Sequence, residues 1–272
     1  MAVITLSRQV AAWGDEVAQS LAKQTGYKFV TRKDIEKRIV DLGFPKSKMP
    51  KYDERKPGFF ASLTKNRDEY LNYAQYAILE AAAQGNVIII GRGAFAVLQD
   101  VPNNVSVRLV ADENTRITRL KNEFNWDDKQ AKQRIQESDV NRAGFHASFY
   151  NVDIEDPSQY HAVLNTGFVN IDKAAAIIAD IVKESISDED EVKGNQVIQD
   201  KLKAQTIINK LYFEEKVNIE FMHGRIEGKT FILHGVSDSP AVVQKALQYI
   251  KKELPDYEAK SAVSVVQDFK TY

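Results

Sequence analysis

Short apolar runs alternate with amphipathic segments along the first 185 residues of the chain. The runs are rich in β-branched residues and predict strands buried on both faces, at residues 2–6, 87–90, 105–110 and 162–164. The segments between them carry apolar residues at helical spacing. They predict one helix that begins at Gly14 and three more at residues 70–81, 112–124 and 174–182. This alternation predicts an α/β fold, a parallel sheet flanked by helices that binds ligands at the carboxyl ends of its strands.

The pattern changes after residue 185. The acidic segment 186–195 has no apolar face and predicts an exposed linker. Beyond it we expect a helix, two strands, a helix and a strand, at residues 197–211, 217–222, 230–236, 241–254 and 262–266. The sequence therefore predicts a first domain at residues 1–185 and a small α+β domain of order αββαβ at residues 196–272. A polar stretch with prolines at residues 43–58 is predicted to be a mobile insertion in the first domain.

Composition narrows the classes of function. The chain has 37 Lys and Arg against 38 Asp and Glu, so its net charge of -1 predicts no nucleic-acid partner, and any anion site must be local. The absence of cysteine excludes disulfides and thiolate chemistry, and the four histidines lack metal-ligand spacing. No basic segment precedes a long apolar run, which favours a cytoplasmic protein.

The loop between the first strand and the first helix lies where an α/β protein binds phosphate. Free N–H groups and the helix dipole favour an anion there, and Ser7, Arg8 and Gly14 are the candidate residues. The loop departs from the pattern G-x-x-x-x-G-K-[ST], because it has no lysine and places the bulky Trp13 where a backbone must approach a phosphate. An ordinary turn from strand to helix is the alternative.

Arginines supply two further candidates. Arg92 stands between Gly91 and Gly93 after the strand at residues 87–90, where its planar guanidinium could bind a phosphate; a glycine turn with a solvated arginine is the alternative. Arg116 and Arg119 lie on one face of the predicted helix 112–124 and could bracket a transferring phosphate, although such a face is also typical of a solvated helix.

The fourth candidate is a pair of residues, Asp139 and Arg142, that lie one helical turn apart. Asp139 and Arg142 could hold a sugar hydroxyl and a phosphate, whereas an ion pair on the surface is the alternative. The aromatic residues that follow, at positions 145, 149, 150 and 160, are predicted to pack in the core.

In this order the motifs resemble those of the cytidylate kinase-like family of P-loop kinases. The family opens Ser-Arg-Glu-Tyr-Gly-Ser-Gly-Gly-Arg-Glu-Ile-Ala, against Ser-Arg-Gln-Val-Ala-Ala-Trp-Gly-Asp-Glu-Val-Ala at residues 7–18 here. Its apolar strand ending Gly-Arg-Gly, its Val-Arg-Leu-Val-Ala strand with an arginine-bearing lid helix, its Asp-x-x-Arg element and its Tyr-x-x-x-Leu-Asn-Thr motif match residues 87–93, 107–119, 139–150 and 160–166.

The resemblance implies phosphoryl transfer from ATP, with Mg²⁺, to CMP or a related nucleotide. Transferred by position, it implies that donor phosphates lie at Ser7, Arg8 and Gly14, that the acceptor is bound by Arg92, Asp139 and Arg142, and that Arg116 and Arg119 act in catalysis. It names no protein ligand for a metal. The altered loop at residues 11–14 leaves a second hypothesis, a catalytically impaired pseudo-kinase that senses a nucleotide or acts as an adaptor.

The last 70 or so residues are similar in element order, and in one Gly-Val-Ser turn at residues 235–237, to a BON-type domain. Such modules are associated with phospholipid or protein partners. An unrelated regulatory or dimerisation module is the alternative, and an oligomer is compatible with either.

Overall fold

The structure, a computed structural model, describes residues 1–52 and 65–266 and divides into two compact units, Met1–Asn195 and Gln196–Tyr272. Of the predicted insertion at residues 43–58, the part after Tyr52 lies outside the described residues. The preceding Lys46–Tyr52 forms a 3-10 turn, and Phe44 and Tyr52 are buried. The described part of this segment is thus anchored in the core by two aromatic side chains.

The first unit contains a five-stranded parallel sheet with the strand order β2-β3-β1-β4-β5. Its strands are β1 Val3–Arg8, β2 Lys28–Val30, β3 Val87–Ile90, β4 Asn104–Val110 and β5 Ala162–Asn165. Its helices are α1 Gly14–Thr25, α2 Arg32–Asp41, α3 Lys65–Ala82, α4 Ala94–Val97, α5 Glu113–Phe124, α6 Asp128–Tyr150 and α7 Ile171–Ser185. The predicted α/β fold, with helices flanking a parallel sheet, is confirmed.

One face of this sheet forms the main core with α1 and α7. Alternate strand residues such as Ile4, Leu6 and Val107 are buried there against Leu21 and Ile178. Because successive strand residues point to opposite faces, the intervening residues of β1 and β4 face the other side, where polar side chains such as Thr5 and Ser106 are also buried. Because β1 pairs in parallel with both β3 and β4, the carboxyl ends of these three strands meet at one edge of the sheet.

The second unit has the predicted order αββαβ. Helices α8 Asp188–Asn209 and α9 Pro240–Glu253 accompany strands β6 Glu220–Glu227, β7 Thr230–Ser237 and β8 Glu258–Val265. Strand β7 pairs antiparallel with β6 and parallel with β8, and apolar residues of the sheet pack with those of the helices in one core. The β6 strand begins later than predicted because Val217 and Ile219 pack in the core before the strand begins.

The acidic segment at residues 186–195, where we expected an exposed linker, is helical from Asp188 and has mostly exposed or partly exposed side chains. Ser187 and Asp190 explain the difference: the Ser187 hydroxyl accepts from the Asp190 N–H, and the Asp190 carboxylate accepts from the Ser187 N–H. This reciprocal pair caps the amino end of α8. Four consecutive acidic residues in the first turn also stabilise the helix, because their negative charge lies at the positive end of its dipole. No helix in the described residues is long and apolar enough to cross a membrane.

A histidine pair predicts how the second unit responds to pH. His223 and His234 lie opposite each other on β6 and β7, with their rings stacked 4.7 Å apart. The pKa of His234 is lowered, mainly by burial and to a smaller extent by the charges of His223 and Arg225. The charge of Glu227 opposes this lowering. The unfolded chain therefore binds more protons, and stability is complete above about pH 6.5 and declines below it.

We expect calorimetry to record a smaller fall in melting temperature between about pH 7.5 and about pH 5.5 for His234→Gln than for the wild type. Comparing the two proteins cancels the titration of other groups. An identical fall in both would show that His234 does not contribute.

Candidate active site

The loop between β1 and α1 has an unusual backbone. Ala11 and Trp13 are both left-handed, with φ of 59° and 54°, although neither is glycine. This conformation costs an L-residue about 1 to 2 kcal/mol, and the family pattern has glycine at both positions. Within the described residues, the N–H groups of Ala11, Trp13 and Gly14 donate no hydrogen bond. The N–H of the intervening Ala12 donates to the Gln9 carbonyl at 3.3 Å, whereas the neighbouring free N–H groups of Trp13 and Gly14 are of the kind that binds anions in such turns.

Gly14 is required at the start of α1 because Arg8 crosses that position. A Cβ atom on Gly14 would lie 2.6 Å from the Cγ atom of Arg8. The Arg8 side chain is thus held beside the amino end of α1. Ser7, the third residue predicted to bind donor phosphate, is instead buried, and its hydroxyl lies 3.4 Å from the hydroxyl of Tyr160.

Arg119 of α5 is held directly on this loop. Its guanidinium lies 3.3 Å from the centre of the Trp13 ring. Its Nη1 donates to the Ala11 carbonyl at 2.9 Å and to the Thr166 hydroxyl at 3.1 Å, and its Nη2 donates to the Thr166 carbonyl at 2.6 Å. These bonds use three of the five N–H donors of the guanidinium, and the other two have no partner within the described residues. Burial lowers the pKa of Arg119.

A cavity of about 950 Å³ opens beside the loop, between α1 and the pair α5 and α6. Its charged lining residues are Arg8, Arg119, Arg134 and Arg142 with Asp15, Glu16 and Glu123. Arg142 also donates from Nη1 to the Arg8 carbonyl at 2.9 Å, which ties α6 to the end of β1. The cavity therefore combines a helix amino end with four guanidinium groups, a surrounding that favours anions.

Arg116 and Asp139 do not reach this cavity in the described structure. Arg116 is buried and donates from Nη1 to both carboxylate oxygens of Asp139, at 2.9 and 3.2 Å. The pair joins α5 to α6. The alternative for Asp139 was an ion pair with Arg142 three residues later, whereas the structure pairs it with an arginine on another helix.

Arg92 is fully buried and held by polar groups. It donates to a Glu36 carboxylate oxygen, to the Tyr52 carbonyl and, at 3.2 Å, to the Tyr70 hydroxyl. Burial alone would raise the pKa of Glu36, but the charges and hydrogen bonds of Arg92 and Arg32 together outweigh it and lower that pKa. The guanidinium of Arg92 is therefore not solvated, which corrects the alternative of a glycine turn with a solvated arginine, and its role in binding the acceptor stays a prediction. The surrounding aromatic side chains pack together as predicted, including Phe145 and Phe149.

Two residues at the site were missed from the sequence. Thr166 accepts from Arg119 and lies 3.2 Å from the Ala12 carbonyl, so it joins the end of β5 to the loop. The Leu-Asn-Thr motif at residues 164–166 was the available signal. Arg134 is exposed, lines the cavity and has no partner within the described residues. No pattern in the sequence distinguishes it from other surface arginines.

A five-stranded parallel sheet of order β2-β3-β1-β4-β5 flanked by helices is a fold like that of P-loop kinases. A sequence model of the cytidylate kinase-like family matches residues 3–168. A cytidylate kinase of Natronomonas pharaonis is 26% identical over 191 residues, which cover 70% of this chain and 93% of that protein. A cytidylate kinase of Thermoplasma acidophilum is 24% identical over 191 residues, covering 66% and 92% respectively.

An uncharacterized protein from Eubacterium ventriosum has a similar solved structure, with a TM-score of 0.54 and 20% identity, covering 67% of this chain and 98% of that one. This likeness bears on the fold alone. The chain belongs to the cytidylate kinase-like family. The family match ends at Phe168 and does not include the second unit.

We expect Arg92→Ala to lower stability by about 3 kcal/mol, since it leaves Glu36 without its buried partner. A solvated Arg92 would instead leave the melting temperature nearly unchanged, and its full burial is the reason for the larger expected effect. Arg134→Ala is the matched control and should change stability by less than about 0.5 kcal/mol. Urea denaturation measures both, and equal midpoints for the two variants would contradict a structural role of Arg92.

The left-handed loop makes a second prediction. Ala11→Gly should leave stability within about 1 kcal/mol of the wild type, because relief of the backbone offsets the lost methyl contact. Ala11→Val should lower it by about 2 kcal/mol, because a β-branched residue disfavours positive φ. Urea denaturation of both variants checks this, and equal tolerance of glycine and valine would show that Ala11 is not left-handed in solution.

Proposed function

We propose that the first unit is a nucleotide kinase that transfers a phosphoryl group from ATP to CMP or a related nucleoside monophosphate. The observation that carries the proposal is the loop at residues 9–14. Its left-handed Ala11 and Trp13 leave N–H groups free beside a cavity with four arginines. Family membership supports the same reaction class.

The geometry supports different roles for the candidate residues. Arg8 and Gly14 would hold donor phosphates at the amino end of α1, and Arg119 would direct its two unused N–H groups at the phosphoryl group being transferred. Arg142 would contribute charge from α6. The remaining roles, for Ser7 at the donor and for Arg92, Arg116 and Asp139, stay predictions, because these side chains are engaged with protein groups in the described structure.

The residues at the cavity fit ATP and Mg²⁺. Free N–H groups and guanidinium groups suit phosphate oxygens, and the exposed carboxylates of Asp15 and Glu16 are oxygen ligands of the kind that Mg²⁺ accepts. No three acidic or histidine side chains are placed so that they could hold a metal ion together in the described part of the chain, which is compatible with an ion held largely by phosphates and water. When bound, ATP would supply the phosphoryl group and Mg²⁺ would neutralise part of its charge.

A second candidate is a catalytically impaired pseudo-kinase that binds a nucleotide as a sensor or adaptor. Asp15 favours it, because it places negative charge in the first turn of α1, where a working P-loop has lysine and the family pattern has arginine. The second unit would then carry the output as a BON-like module for a protein or phospholipid partner in the cytoplasm.

A coupled assay of ADP release with CMP, UMP, AMP and GMP tests the proposal. We expect turnover with CMP and a loss of about 100-fold or more in Arg119→Lys, which keeps the charge but cannot form the planar stack and all three hydrogen bonds. Arg225→Lys, an exposed change in the second unit, is the control and should match the wild type.

Folded protein that turns over none of the four acceptors would contradict the kinase. Calorimetric titration with ATP and Mg²⁺ then distinguishes a pseudo-kinase that binds nucleotide from a protein that binds none.

A further inference from the structure

Two aromatic side chains stand at the corner between α5 and α6. Phe124 is the last residue of α5, the left-handed Asn125 turns the chain, and Trp126 follows. Their rings stack with centres 4.7 Å apart and planes 25° apart. Both residues line the cavity that contains the phosphate-binding loop. The cavity therefore has an aromatic surface as well as its arginines.

This aromatic surface is partly exposed and firmly supported. Phe124 remains 48% exposed although it is a large apolar side chain. Trp126 packs on a small cluster that contains Leu120 of α5 and Ile135 of α6, and Ala11 of the loop packs on the same cluster. Trp126 is thus supported by this cluster beside the loop, and Phe124 is supported by its stacking on Trp126, which suits a binding surface that needs little ordering when a ligand arrives.

The spacing along α5 fits a nucleotide. Arg119 contacts the loop, and Phe124 follows five residues later, which is about 7.5 Å along a helix axis. A nucleotide with its phosphates at the loop could extend its base toward the aromatic rings over such a distance. Asn122 and Glu123 line the cavity between them, and neither side chain has a polar partner within the described structure that would compete for the edge of a base.

We propose that Phe124 and Trp126 are the stacking platform for the base of a purine nucleoside triphosphate whose phosphates lie at residues 9–14. The two-ring purine offers a larger face for stacking than a pyrimidine. Arg134, without a partner in the described part of the chain, supplies a cation at the same cavity. This inference rests on the proposed nucleotide-binding function and adds the class of donor base and the residues that select it.

Isothermal titration of the full chain with ATP and with inorganic tripolyphosphate, both with Mg²⁺, separates the platform from the phosphate site. We expect the wild type to bind ATP about tenfold more tightly than tripolyphosphate, the lower range for one base stacked on one aromatic ring. Phe124→Ala should lose this difference without weakening tripolyphosphate binding, and Phe124→Tyr should keep it. Phe221→Ala, an equally drastic change at a residue of the second unit that is 56% exposed, should behave as the wild type.

Tryptophan fluorescence provides an independent measurement, because the two tryptophans of the chain, Trp13 and Trp126, both line the cavity. In Trp13→Phe the emission comes from Trp126 alone. We expect saturating ATP to quench it and tripolyphosphate to leave it nearly unchanged.

The outcomes separate the two proposals. Equal affinity for ATP and tripolyphosphate, or an ATP complex that leaves the Trp126 emission unchanged, overturns the platform and leaves the phosphate site standing. Absence of binding by both ligands overturns the nucleotide-binding function together with the platform.

Discussion

The candidate site depends on hydrogen bonds from two arginines to carbonyl groups of the loop at residues 9–14 and of the strand end before it. Arg119 of α5 binds the Ala11 carbonyl, and Arg142 of α6 binds the Arg8 carbonyl. Glycine would adopt the left-handed backbone of this loop with little cost, whereas Ala11 and Trp13 do so against a steric penalty. Charge-assisted hydrogen bonds and the stacking of Arg119 on Trp13 offset that penalty. The shape of the loop is therefore coupled to the position of α5 and α6.

Buried charge organises the neighbouring part of the unit. A buried guanidinium requires a partner because its desolvation is costly, and Arg92 and Arg116 find carboxylates of Glu36 and Asp139. These pairs connect β3 to α2 and α5 to α6. An acceptor nucleotide at these arginines would have to replace or share their carboxylate partners. The arginines that line the cavity are in a different situation, since Arg119 keeps N–H groups available there.

Family membership and chemical competence are separate properties of this chain. The family match covers the sheet and the helices that surround the loop. The same loop carries Trp13 where the family pattern has glycine, and Asp15 follows Gly14 where a working P-loop has lysine, so its charge differs from that of a working P-loop. What remains favourable to phosphate is the backbone and the arginines of the cavity. Whether the chain transfers a phosphoryl group therefore depends on the charges at the loop, because a fold does not by itself determine an activity.

The sequence by itself determined the alternation of strands and helices, the αββαβ order of the second unit, and the strand end that carries the candidate loop. These features follow from periodic burial, which neighbouring residues express locally. Only the tertiary structure decided the partner of each arginine, because contacts such as Arg119 with Ala11 and Arg92 with Glu36 join residues far apart in the chain. It also brought Phe124 and Trp126 to the cavity. Nothing in the local sequence of this corner shows that it lies beside the loop at residues 9–14, which is distant in the chain.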